Sequence, residues 1–264
     1  MVPKGLRIQF TKKGKTLPLI NLEDKEDFAI VRLNNGATNA LSFDLVNELS
    51  EAITRVKKDF KGMVLAGGEK FFSIGFDIPT LLELDRPSMT EFFHKFNHVV
   101  LNILTLPLPT AAAVKAHAVA GGAIMMLTCD YRFAATGRVL IGLNGIKLGV
   151  PIPYLPDLIL RQIAGDQVAS DMLYLGEFVE SSDSWGKGLI HDVFPKPEVE
   201  AKALDMVANL SKLPPRAFAA AKTNRVEVIR TRYEKNFKAK NEEFLDCWFS
   251  ACARDLLKEA AKKF

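Results

Sequence analysis

The sequence predicts an α/β fold, on three observations. Short apolar strand-like runs alternate with helical periodicity. Glycine-containing loops join the two, and the last quarter reads as helix interrupted only by prolines. The chain has 264 residues, 48% of them apolar and 25% charged, with a net charge of +4. That length buries a substantial core, and that balance excludes a disordered or collagen-like chain.

Taken in order, Leu6 to Thr11, Leu17 to Leu22 and Phe28 to Leu33 read as strands separated by turns at Lys13-Gly14-Lys15 and Asp24 to Asp27. Leu41, Leu45, Leu49, Ile53 and Val56 recur at three- and four-residue steps, predicting a helix from Ser42 or Asp44 to Val56. Met63 to Ala66 is a short buried strand. Thr110 to Val114 leads into an apolar helix within Ala118 to Cys129, and Tyr131 to Ala135 and Val139 to Ile141 are further strands. Beyond Val193 the pattern is helical, with Phe237, Phe244, Trp248, Cys252 and Leu256 as an apolar stripe that packs on the core or on another subunit. The expected division is a core of residues 1–195 and a helical region of residues 196–264.

The longest apolar run, Ala118 to Leu127, is shorter than the roughly 18 to 20 residues that cross a bilayer, so no membrane partner is expected. Cys129, Cys247 and Cys252 have no metal-ligand or CxxC spacing, and neither a signal peptide nor a Ser-Lys-Leu terminus is present. A reducing, cytoplasmic setting is expected. Seven basic residues between Lys222 and Lys240 face only Glu227 and Glu234, which reads as a solvated helix face or as an attraction for phosphates. No zinc-finger or RNP-like pattern accompanies them, so no nucleic-acid partner is expected.

Chemistry is suggested by two turns that offer backbone rather than charged side chains. In Phe72-Ser73-Ile74-Gly75-Phe76-Asp77, Gly75 permits a tight turn and Asp77 caps a helix opening near Pro79. In His117-Ala118-Val119-Ala120-Gly121-Gly122, paired glycines enter the apolar helix, whose first amides are free donors. Close packing explains either turn as well as function does.

Together these segments resemble the F-[SA]-x-G-x-D element and the second signature, here Ala120-Gly121-Gly122 with Cys129-Asp130-Tyr131-Arg132, of the crotonase (enoyl-CoA hydratase/isomerase) superfamily. The likeness continues through Asn39-Ala40-Leu41-Ser42, Ile141-Gly142-Leu143-Asn144, Leu148-Gly149 and Gly186 to Ile190, and is nearest to 3,2-trans-enoyl-CoA isomerases. It implies a spiral of ββα repeats with a C-terminal helical trimerisation region, assembled as a homotrimer or dimer of trimers. It also implies an acyl-CoA thioester as ligand, with coenzyme A part of the substrate and no separate cofactor or metal.

Carried across, the oxyanion-hole N–H groups fall on Phe76 and Gly121. Ala40, Ile74, Gly75, Asp77, Gly122, Ile124 and Leu143 flank the substrate, and Leu81, Leu82, Ile146 and Ile152 are further candidates for the acyl pocket. The family's two catalytic glutamates align with Ile124 and Gly145, neither of which carries a proton. Asp77, Glu83, His117, Asp130 and Asp157 are the remaining candidates for a base. Two readings stay open: an enzyme, first of the Δ3-Δ2-enoyl-CoA isomerase type but also a hydratase or an acyl-CoA lyase of the same fold, using another base or ordered water; and an acyl-CoA-binding protein without a proton shuttle. A Gly145→Glu change is expected to supply isomerisation if the base alone is lacking, as it would if Gly145 were a substitution in an ordinary isomerase.

Overall fold

The structure, a computed structural model, describes residues 17–262. The strand expected at Leu6 to Thr11 and the turn at Lys13 to Lys15 lie outside those residues. The first described strand, β1 (Ile20–Lys25), pairs antiparallel with β2 (Phe28–Leu33) through a tight turn in which Glu26 takes a φ of 65°. The hairpin thus begins three residues later than its apolar run suggests. Leu17 is 82% exposed, whereas Ile20 is buried, so burial selects the register.

Helix α1 (Phe43–Asp59) opens where Ser42 accepts a hydrogen bond from Leu45 N, and it buries Leu45, Leu49, Ile53 and Val56 as the periodicity requires. Next come β3 (Gly62–Ala66), β4 (Phe71–Ser73), the short α2 (Ile78–Leu82) and α3 (Arg86–Leu104). Then β5 (Thr110–Val114), β6 (His117–Val119) and α4 (Gly121–Leu127) repeat the pattern. The following turn of the spiral is β7 (Tyr131–Ala135), β8 (Leu140–Gly142), a 3₁₀ turn at Gly145–Leu148 and α5 (Tyr154–Leu175). The expected helix within Ala118 to Cys129 is therefore shorter, because Ala118 sits in β6.

Each turn sends one strand to a large sheet and the next to a small one. With β9 (Phe178–Glu180), α6 (Ser181–Gly186) and β10 (Asp192–Phe194), the large sheet has the order β1-β2-β3-β5-β7-β10 and the small one β4-β6-β8-β9. β3 and β5 are buried along their whole length, as parallel strands covered on both faces are. Staggering the strands between two sheets places the β4–α2 and β6–α4 turns side by side, because β4 and β6 are paired neighbours.

The C-terminal region is three helices rather than one: α7 (Val199–Ser211), α8 (Pro215–Trp248) and α9 (Ala251–Ala261). α7 lies on β3, β5 and β7, α8 packs on α3 and α5, and α9 packs on α2 and the Gly145–Leu148 turn. Ser250 caps α9 and resets the helix direction, so Ala253 and Leu257 are buried while Cys252 is exposed and Leu256 is 40% exposed. The apolar stripe read from the sequence therefore ends at Trp248.

The basic cluster is also divided. Lys222 is no part of a solvated face: it is buried and bonds Asp130 at 2.6 Å. Asp130 accepts as well from the Thr110 amide and hydroxyl, at 3.0 and 2.9 Å, and Arg225 stands 3.4 Å away. This pair ties α8 to the loop before β7. Burial pushes the Lys222 ammonium below its ordinary range, while Asp130 opposes that shift.

Candidate active site

The first wall of the site is the turn after β4. Ser73 Oγ donates to the Asn39 carbonyl at 2.7 Å and accepts the Gly75 amide at 3.1 Å, so the motif serine bends the chain back on itself. Leu41 then bridges the turn in parallel: its N–H donates to Gly75 O at 2.7 Å and its carbonyl accepts Asp77 N at 3.2 Å. In such a bridge the intervening residue turns its own N–H away from the partner strand. That residue is Phe76, which lines the cavity and anchors its ring edge-on against Phe92 and Phe96, with centroids 5.1 and 4.8 Å apart.

The second wall is the turn into α4. Ala120 holds a φ of 47° and a ψ of −115°, a conformation costly for any residue with a Cβ. Its N–H donates to Gly142 O at 2.8 Å, which ties the turn to β8. Gly121 follows. Among the described residues neither the Phe76 nor the Gly121 N–H has a protein acceptor.

The two walls touch. Gly75 has a φ of 98°, and a Cβ there would stand 2.8 Å from Gly121 N and 2.9 Å from Ala120 Cβ. A Cβ on Gly122 would stand 2.2 Å from Ser73 O. Glycine at these positions is thus a condition for the two turns to approach each other.

Between and beyond them lies a cavity of about 520 Å³, of a size that holds a small organic ligand. Ile74, Phe76, Gly121, Ile124 and Gly145 line it, as the sequence suggests. Gly75 and Gly122 shape it from behind. Other candidates do not line it. Leu81, Leu82 and Leu143 are buried core, and Ile146 is 46% exposed outside it. Ala40 is turned into the Asn35 to Ser42 loop, where its carbonyl accepts Asn35 Nδ2 at 2.7 Å. Asp77 caps α2 through Thr80 N at 3.3 Å.

The proposed substitute bases fare no better. Asp130 is held by Lys222 and Thr110, Asp157 pairs with Arg161 at 2.8 Å in a separate cleft, and Glu83 is exposed at the end of α2. His117 does line the cavity, but its Nδ1 accepts the Leu140 amide at 3.0 Å. The neutral ring therefore carries its proton on Nε2 and offers a donor, not a base. Burial, and then the nearby Arg138 charge, push its pKa below the ordinary imidazole value, which favours that neutral form.

Among the described residues no carboxylate lines the cavity. Gly145 occupies the position where one is expected, yet it is not simply an empty space for a glutamate. A Cβ there would stand 2.9 Å from the Val150 carbonyl oxygen and 3.2 Å from Ile152 Cδ1. The Gly145→Glu change therefore needs the Val150 backbone to move, and the simple graft expected from sequence is corrected accordingly.

Sequence reasoning missed the roof. Phe244 and Trp248 of α8, and Leu257 and Ala260 of α9, close the cavity from the same chain. The loop of Val150, Pro151, Ile152 and Pro153, which the sequence places at the floor of the pocket in apolar residues, does line the cavity. The prolines were a visible signal for a rigid loop, but the contact of the C-terminal helices has no local signature.

Among the described residues no group of three or more His, Cys, Asp or Glu side chains is placed to hold a metal ion, and no helix is long and apolar enough to cross a membrane.

Comparison with known proteins matches residues 23–255 to the enoyl-CoA hydratase/isomerase family. Rat mitochondrial enoyl-CoA delta isomerase 1 is 25% identical over 247 residues, covering 92% of this chain and 84% of the rat protein. The crystal structure of human mitochondrial delta3-delta2-enoyl-CoA isomerase superposes with a TM-score of 0.88 at 22% identity, covering 93% of this chain and 97% of the human one. An enoyl-CoA hydratase from Bacillus halodurans superposes with a TM-score of 0.83 at 24% identity, over 91% and 99% of the two chains.

Proposed function

Because the chain belongs to the enoyl-CoA hydratase/isomerase family, we propose that it holds an acyl-CoA thioester in this cavity, with the carbonyl oxygen between the N–H groups of Phe76 and Gly121, in a site of the Δ3-Δ2-enoyl-CoA isomerase type. The observation that carries this reading is the contact of two turns whose amides border one cavity and, among the described residues, lack protein acceptors. Two converging donors polarise a thioester carbonyl and stabilise negative charge on its oxygen, the role each donor of an oxyanion hole plays at about 2.7–4 kcal/mol.

Of the two readings open from sequence, the lining favours binding without a proton shuttle. Moving a double bond from C3 to C2 removes a proton from C2 and returns one to C4. With Gly145 and Ile124 at the glutamate positions and His117 committed as a donor, no lining side chain among the described residues is suited to that transfer. The isomerase reading, with ordered water as carrier, rests on the delta isomerases among the similar proteins.

The test is binding and turnover with saturated, 2-enoyl and 3-enoyl thioesters. All three classes are expected to bind while the 3-enoyl thioester stays unconjugated. Rapid appearance of the conjugated absorbance would overturn the binding-only reading, and no affinity for any thioester would overturn both. The proposal extends to a homotrimer or dimer of trimers in a cytoplasmic setting, for which a solution mass of one chain would be the contrary result.

A further inference from the structure

Three described residues other than glycine hold a positive φ: Glu26, Asn39 and Ala120. Glu26 serves the β1–β2 turn, and asparagine takes such values more readily than other residues with a Cβ. Ala120 has neither reason. It lines the cavity with a φ of 47° and a ψ of −115°, outside every region open to an L-residue.

Two backbone hydrogen bonds hold it there: its N–H donates to Gly142 O at 2.8 Å, and its carbonyl accepts Ile124 N at 3.0 Å, at the first turn of α4. Only the second involves the Ala120–Gly121 peptide. Turning that peptide over rotates ψ of Ala120 by half a turn, to roughly 65°, which with its φ lies close to the left-handed helical region that L-residues accept. Gly121 takes the opposite half-turn in φ, which a glycine does freely. The bond to Gly142 survives, and the bond to Ile124 is lost. The strain removed and the hydrogen bond given up are of the same order. The two settings of this peptide are therefore close in free energy.

They differ in what they offer a ligand. In the setting seen here the Gly121 N–H has no protein acceptor among the described residues. In the other, the Ala120 carbonyl turns to that side, toward the turn that carries the unpaired Phe76 N–H. Gly75 leaves the room for it, since a Cβ there would stand 2.8 Å from Gly121 N.

We propose that Ala120 is a positioning residue that makes the Gly121 donor switchable: the ligand-free protein divides between the two settings, and a thioester oxygen draws it into the one that presents the N–H. This rests on the thioester reading above and adds how its second donor is controlled. Part of the binding energy of the carbonyl is then spent on selecting that setting.

The experiment compares octanoyl-CoA with S-octyl-CoA, the thioether of the same length that lacks the carbonyl oxygen, by titration calorimetry on the unaltered protein and on Ala120→Gly. Glycine holds the observed φ and ψ without strain, so the variant populates the donor setting throughout. The preference for thioester over thioether is expected to rise about threefold in Ala120→Gly, with thioether affinity level. Strain of purely structural significance would leave that preference the same in both proteins, which overturns the proposal while the thioester reading stands. Equal affinity for thioester and thioether in the unaltered protein and in the variant means that no carbonyl is held by these amides, and the thioester reading then fails with this one.

Discussion

The two halves of the cavity are built from different materials. The half formed by the turns at Gly75 and Gly121 presents backbone donors, fixed by Ser73, Leu41 and close glycine contacts. The half formed by residues 144–153, where the resemblance places a side-chain acid/base, presents Gly145, Val150, Pro151 and Ile152. The difference teaches which chemistry a fold protects. A backbone donor is held by the packing that holds the fold, so losing it costs stability. A carboxylate at a cavity wall makes no such contribution, and its replacement leaves the sheets and helices as they are.

The largest effect is expected from breaking the backbone half. Gly122→Val places a branched side chain where even a Cβ would be 2.2 Å from Ser73 O. Overpacking against main chain costs about 1–3 kcal/mol or more, so thermal unfolding should drop by several degrees and acyl-CoA affinity should vanish. A variant that melts like the parent and still binds would show that the two turns need not touch.

A smaller loss is expected in the other half. Gly145→Ala alone brings a Cβ to 2.9 Å from Val150 O, which predicts a stability loss of about 1–3 kcal/mol in denaturant titration. Gly145→Glu inherits that loss, so its gain in 3-enoyl-CoA isomerisation should stay small. A fully stable Gly145→Ala would mean the loop yields, and a Gly145→Glu enzyme of ordinary speed should then follow.

The contrast in legibility has the same origin. Gly75, Gly121, Gly122 and Ser73 were visible in the sequence because a close backbone approach admits few residue types. Leu81, Leu82 and Leu143 could not be told from true lining residues such as Ile124 and Ile152, since core and cavity wall call for the same apolar side chains. Lys222 looked like its solvated neighbours because its partner, Asp130, lies 92 residues earlier. The roof of Phe244, Trp248 and Leu257 was hidden for that reason too: the break at Ser250, which sets the direction of α9, is local, but the cavity it covers is not.

The smallest effect concerns pH. His117 has its pKa lowered by burial, so the folded protein takes up its proton later than the unfolded chain does. Its contribution to stability is present above the unfolded value near 6.5 and is lost as pH falls through the lower folded value. Protonation also turns Nδ1 into a donor facing the Leu140 amide. Thioester affinity should therefore stay level from pH 8 to about pH 6.5 and decline only in more acid solution, with His117→Gln flattening the decline. A decline centred at or above the ordinary imidazole value would mean that His117 is charged in the working site.

The most direct measurement follows the amide protons themselves. In ¹⁵N-labelled protein, a saturated acyl-CoA should move the Phe76 and Gly121 amide proton resonances downfield together, while coenzyme A with a free thiol should leave both unmoved. A shift at only one of the two, or the same shift with the free thiol, would contradict a single thioester oxygen shared between them.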